Sequence, residues 1–244
     1  MKFSLLCLVI VASQASQAIA SEAQTCSARS SATVTPVVEL YTSEGCNSCP
    51  PADRWLSGLT AQPQVVALAF HVDYWDRLGW KDRFASAAFT RRQMEQLPHN
   101  GARFAYTPQV VVDGRDQQGG VRLDVVNRAA AAVNIELVRE GERVNANVVA
   151  AAQGPTRLAA YWALTESRHR TAVKAGENEG VTLAHDFVVR DYRPVGEWTA
   201  TPGTPQRLSF GVSLPADAEH PRRINLVIVD AVTGRPVQAL ALGC

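Results

Sequence analysis

Two cysteines three positions apart, in "SEGCNSCPPADRW" (43–55), stand between an apolar β-rich run and a proline-led helical segment. The run before them is "VTPVVELYTS". After them Trp55, Leu56 and Leu59 fall at helical spacing, with Pro50 and Pro51 near the start, where the missing N–H costs nothing. A strand that hands directly to a helix through Cys46 and Cys49 demands a sheet with a helix packed on it. The same pair admits three chemistries: a metal clip, a structural disulfide, or a centre that trades electrons with other thiols.

Strand and helix patterns alternate on either side. "VVALAFHV" (65–72) is continuously apolar, as a strand buried on both faces would be. A helix is expected at 86–97, ending at Pro98, and "PQVVVDG" (108–114) predicts a third strand. "QQGGV" suggests a short fourth, and an alanine-rich helix is expected at 122–134. This makes residues 34–135 an α/β domain with a central sheet. From 136 the pattern changes to strands alone: Leu158, Ala160, Trp162 and Leu164 alternate, as do Leu208, Phe210, Val212 and Leu214. Residues 136–244 therefore predict an all-β, sandwich-like domain.

The first twenty residues read as a secretory signal peptide. Lys2 precedes the apolar run "FSLLCLVIVA", and "AIA" ends the segment. That run is too short to span a bilayer, which takes roughly 20 residues. Residues 21–33, small and polar, read as a flexible lead-in. Losing Lys2 takes the formal charge from +1 to zero, so no electrostatic argument supports nucleic acid or an anionic membrane as partner. The expectation is a periplasmic or secreted protein, not inserted in a membrane.

Beyond the signal four cysteines remain: Cys26, Cys46, Cys49 and Cys244. An even number in an exported chain suggests pairing. Cys46 and Cys49 are local partners, leaving a structural disulfide between Cys26 and Cys244. A zinc site would need about four ligands. The histidines (His71, His99, His169, His185 and His220) supply no paired set beside the cysteines, although His71 could complete a copper-type site. No cofactor is expected beyond a redox-active Cys46–Cys49 disulfide. In the redox reading, Cys46 emerges at the sheet edge by a helix N-terminus that favours its thiolate. Cys49 then resolves the mixed disulfide, with protein thiols or disulfides as partners. Thr107–Pro108 opens the third strand. If that bond is cis, Thr107 can offer its main chain to an incoming peptide. The aromatic loop after the second strand, with Tyr74, Trp75 and Asp73 beside His71, reads either as a wall of a substrate groove or as a packed loop.

The order strand, CxxC, helix, strand, helix, Thr-Pro-strand resembles the thioredoxin fold over 34–135. More closely, "VELYTSEGCNSCPPAD", "ALAFHVDYWDRLGWKDRFAS", "FTRRQ", "YTPQVVVDG" and "GENEGVTLAHDFVVR" are similar to a family of secreted bacterial proteins with a thioredoxin-like N-terminal domain of unknown function. The resemblance implies Cys46 as nucleophile, Cys49 as resolving thiol and Pro108 as the cis-proline opposite them. It also implies Glu39 as a buried carboxylate that relays a proton to Cys49. Asn47–Ser48 between the cysteines matches no familiar reductant or oxidant.

Overall fold

The computed structural model describes residues 25–244, so the expected signal peptide lies outside the described residues. Strands β1 (Thr25–Arg29), β2 (Val37–Thr42) and β3 (Val66–His71) come first, with helix α1 (Pro50–Ser57) between the second and third. Helix α2 (Ala87–Asn100), β4 (Gln109–Val112) and β5 (Arg115–Asp116) follow. The rest is strand: β6 (Val133–Glu140), β7 (Arg143–Ala150), β8 (Arg157–Glu166), β9 (His169–Ala172), β10 (Thr182–His185), β11 (Val188–Thr199), β12 (Pro205–Gly211), β13 (Arg222–Asp230) and β14 (Pro236–Leu242).

One eight-stranded sheet, ordered β14-β13-β8-β11-β3-β2-β4-β5, runs through both halves of the chain. The join is made by β11, which pairs antiparallel with β8 and then meets β3 in parallel at Val188 and Ala69. A second sheet, β1-β6-β7-β12, covers the β8 and β13 region. Between the sheets lies a core built on Leu137, Val148, Leu158, Trp162, Phe210 and Leu226. Helix α1 packs Leu56 on the same face of the large sheet, against Val38, Leu40 and Ala67. Helix α2 packs Phe89 on the opposite face, against Tyr41, Phe70 and Tyr161.

This corrects the expected fold class. The described residues are predominantly β, with 42% strand and 13% helix, and the N-terminal part is not an α/β thioredoxin-like domain. Among the described residues there are only two α-helices. The helix expected at 122–134 does not form. Ala129 and Ala131 instead spend their backbone groups on residues 32–34, through Val34 N to Ala129 O at 2.9 Å and Ala131 N to Ala32 O at 2.8 Å. Long-range pairing has overridden the helix propensity of alanine. The same holds at 21–33, expected to be flexible: Thr25–Arg29 is an edge strand with every residue in register with β6. The short strand expected in "QQGGV" falls earlier, at β5, and α2 continues through Pro98 to stop at Gly101, whose φ of 86° only glycine adopts freely.

Candidate functional site

β2 delivers the chain to the cysteines at its carboxyl end. Turn bonds follow at once: Cys46 N to Ser43 O and Cys49 N to Cys46 O, both 3.2 Å. Cys49 then caps α1, its carbonyl accepting from Ala52 N at 2.9 Å and Asp53 N at 3.1 Å. Cys46 and Cys49 are bonded to each other, with Cα atoms 5.4 Å apart. Both are 0% exposed. The nucleophile expected to emerge into solvent is sealed, while Asn47 and Ser48 between the cysteines are exposed.

Two neighbours close the site. Trp75 packs against Gly45, where an added Cβ would come within 3.2 Å of the Trp75 Cβ. Its indole N–H donates to Thr107 Oγ1 at 2.7 Å. Thr107–Pro108 is cis and enters β4 at the end where β2 leaves, because Gln109 pairs with Tyr41. The second cover comes from the loop between β9 and β10. Asn178 Nδ2 donates to the carbonyls of Glu44 at 2.8 Å and Cys46 at 3.0 Å, and Glu177 Oε2 accepts from Asn47 N at 3.2 Å.

Beneath the pair, on the α1 side of the sheet, lies a buried ionisable cluster. His71 is in register with Thr42 across β3 and β2, and its Nδ1 meets Asp82 Oδ2 at 2.6 Å. Asp82 also accepts from Glu44 N at 2.9 Å and Phe84 N at 2.9 Å. Trp80 donates to Glu44 Oε2 at 2.8 Å, and His185 Nε2 stands 3.4 Å from Glu44 Oε1. Asp53, one helical turn from Cys49, faces Thr42, His185 and His71. Burial raises the Asp53 carboxyl above the usual carboxylate range, against the pull of the two histidines. Burial works against a charged His71, but the Asp82 carboxylate outweighs it and raises the imidazole pKa. Burial likewise opposes charge on Asp82 and Glu44. His71 and backbone N–H groups hold Asp82 low, while the nearness of His185 and the Trp80 hydrogen bond hold Glu44 low.

These directions fix a pH profile. His71 has a raised folded-state pKa, so its contribution is complete below 6.5 and is lost as pH rises through the folded value. Asp53, also raised, costs stability as pH climbs above 3.8. Asp82 is depressed, so its contribution is present above 3.8 and is lost as pH falls further. His169, which burial and His220 hold down to about 4, instead costs stability as pH falls below 6.5, so the urea midpoint should peak near 6.5 and decline toward alkaline pH. In His71→Asn/Asp82→Asn the alkaline decline should shrink; an unchanged profile would remove the pair as its source.

The other sequence candidates fall elsewhere. Glu39 points to the α2 face with Val37 and Tyr41, where Arg92 and Tyr161 bind it, so the geometry does not bring it to Cys49. Strand alternation places Val38, Leu40 and Thr42 toward α1 and Glu39 away from it. His71 is fully buried and offers no surface to a polypeptide. Asp73 accepts from Thr90 at 2.5 Å, and Tyr74 and Trp75 are partly buried against the α2-side core. Cys26 and Cys244 are bonded, tying β1 to the residues after β14. Asp53, Glu44, Asp82, His185 and Asn178 were given no chemical role from sequence. Asp53 alone carried a local signal, four residues beyond Cys49 on the helix.

Among the described residues no group of three or more His, Cys, Asp or Glu side chains is arranged to hold a metal. No helix there is long and apolar enough to cross a membrane.

No curated protein matches the chain. Among solved structures it is similar to protein AGR_C_4864 from Agrobacterium tumefaciens, at 27% identity and a TM-score of 0.62. That match covers 86% of this chain and 94% of that one. HBP35 of Porphyromonas gingivalis aligns over 87% of this chain and 76% of its own, with a TM-score of 0.62; at 11% identity the likeness is one of fold alone. The family described as "Protein of unknown function (DUF1223)" matches residues 37–230, and the chain belongs to it.

Proposed function

We propose that Cys46 and Cys49 form a redox centre that exchanges disulfides with protein thiols in an exported compartment. The observation that carries this reading is the ionisable cluster packed under the disulfide. A bond that only stapled a turn to a helix would gain nothing from three carboxyl groups and two imidazoles buried beside it, and burying charge is costly. An exchange centre needs such groups, because each opening of the bond makes a thiolate that must take up a proton.

In the oxidising direction a partner thiolate attacks the Cys46 sulfur and the Cys46–Cys49 bond breaks. Cys49 leaves as a thiolate at the N-cap of α1 and takes a proton. A second partner thiolate then attacks the mixed disulfide. The partner leaves with a new disulfide, and Cys46 and Cys49 hold its two electrons and two protons. Reduction of a partner runs the same steps backward. Asp53, one turn from Cys49 and biased toward its protonated form, is suited to supply the first proton.

Complete burial of both sulfurs favours a second reading, a permanent staple. Poising the purified protein in graded glutathione buffers and trapping thiols with iodoacetamide separates the two. The expected result is a reversible two-electron transition at Cys46 and Cys49. A pair that stays oxidised until the protein unfolds would leave only the staple.

A further inference from the structure

Of the two covers over the disulfide, one is the hairpin formed by β9 and β10. We infer that this hairpin, residues 168–187, is a hinged lid whose lifting exposes Cys46, with Asn178 as its latch. The inference rests on the redox reading for its purpose but not for its geometry.

Four observations carry it. First, β9 and β10 pair only with each other, in a two-stranded sheet separate from both larger ones. The hairpin can therefore move without breaking a ladder. Second, its two ends carry left-handed backbone: Arg168, immediately before β9, has φ 64°, and Phe187, two residues after β10, has φ 56°. Non-glycine residues rarely adopt this conformation, and a phenylalanine there is an outlier that marks a strained joint. The joints are tied crosswise, Arg168 N to Asp186 Oδ1 at 3.0 Å and Phe187 N to Ser167 Oγ at 3.1 Å. Third, the underside of the hairpin mixes the apolar Val173 and Leu183 with polar side chains. His169, Thr171 and His185 point inward, and His169 Nδ1 and Thr171 Oγ1 are buried without a hydrogen-bond partner. Lifting the hairpin would give these atoms to water, which lowers the cost of opening. Fourth, the tip is held by a few polar contacts. Between Gly176 (φ 78°) and Gly180 (φ 81°), Asn178 reaches both carbonyls that flank the start of the cysteine turn, and Glu177 takes the Asn47 N–H.

The gate is testable with a phosphine reductant, which needs no protein partner. In wild type, reduction of Cys46–Cys49 should level off as phosphine concentration rises, because opening becomes limiting. Asn178→Ala should raise that ceiling about ten-fold, the effect expected from losing the latch hydrogen bonds, while reduction of Cys26–Cys244 stays unchanged. Glu177→Gln, which keeps an acceptor, should have little effect. Hydrogen exchange gives an independent reading. Amides of β9 and β10 should exchange by an opening that leaves β8 protected, and faster in Asn178→Ala. Linear phosphine dependence in wild type with no gain in the variant would overturn the lid, as would hairpin amides that exchange only on global unfolding. A pair that phosphine reduces through the lid but that never exchanges with glutathione would keep the lid and remove the redox reading.

Discussion

Arg92→Met should destabilise the protein by about 3–5 kcal/mol, the cost of leaving one half of a buried ion pair alone. Arg92 comes from α2 and is almost wholly buried, and its Nη2 meets Glu39 Oε1 at 2.6 Å. A second nitrogen reaches Glu39 Oε2 at 3.2 Å and also donates to the Tyr41 hydroxyl. Tyr161 donates to the same carboxylate, and the guanidinium lies 4.5 Å from the Phe70 ring centroid and 4.8 Å from that of Tyr161. The pair thus fastens α2 to β2 and β8, one strand from each half of the chain. Methionine would keep the packing and remove the charge, stranding the Glu39 carboxylate among aromatic rings. The companion Arg92→Met/Glu39→Leu should recover most of the loss, because an apolar pair of similar volume has no charge to bury. Urea denaturation of both variants and of Glu39→Leu closes the cycle. A coupling near zero would show that the pair does not hold the helix to the sheet.

How far the fold was legible depended on whether a segment's partners were local. "VVELYT" and "VALAFH" read as buried strands because both of their faces are covered, by α1 and α2, and their apolar runs say so. Proline at the start of α1 and the apolar spacing after it were equally local. What failed was set by distant partners. "RAAAAV" has helical propensity, but its backbone is taken by residues 32–34, far away in sequence. The polar stretch around Cys26 lacks a strong pattern yet gains a strand from β6. The join of β3 to β11 through Val188 leaves no trace in either strand's composition, and it turns an expected small sheet into part of a large one.

The site divides along the same line. Cys46 and Cys49 were legible because three positions are enough to place two sulfurs in bonding range across a turn. Glu39 was a misreading that strand alternation could have prevented: it shares a face with Val37 and Tyr41, away from the helix that carries Cys49. Asn178 carries no local signal. Its role exists only because a loop 132 positions away in sequence folds back over Cys46. That same loop and Trp75 bury the disulfide, so exposure was the one property of the cysteines that local pattern had no means to report.

Cys49→Ser should turn a protein that forms no lasting adducts into one that holds them. Without the second sulfur a mixed disulfide on Cys46 has no internal thiol to displace it, so it persists until an external thiol arrives. Incubated with glutathione disulfide, or with an unfolded peptide carrying a single disulfide-activated cysteine, the variant should gain one adduct per chain at Cys46. Cys46→Ser should gain far less, because Cys49 sits at the helix cap behind the turn, with α1 following it directly. The lid sets the rate: Cys49→Ser/Asn178→Ala should form the same adduct faster, by the factor that Asn178→Ala alone gives with phosphine. Heavier labelling of Cys46→Ser than of Cys49→Ser would reverse the assignment of nucleophile and resolving thiol, and equal labelling would remove it. No adduct on either, with the hairpin shown to open, would mean that the sulfurs are reachable yet do not exchange, and the bond would then be a staple.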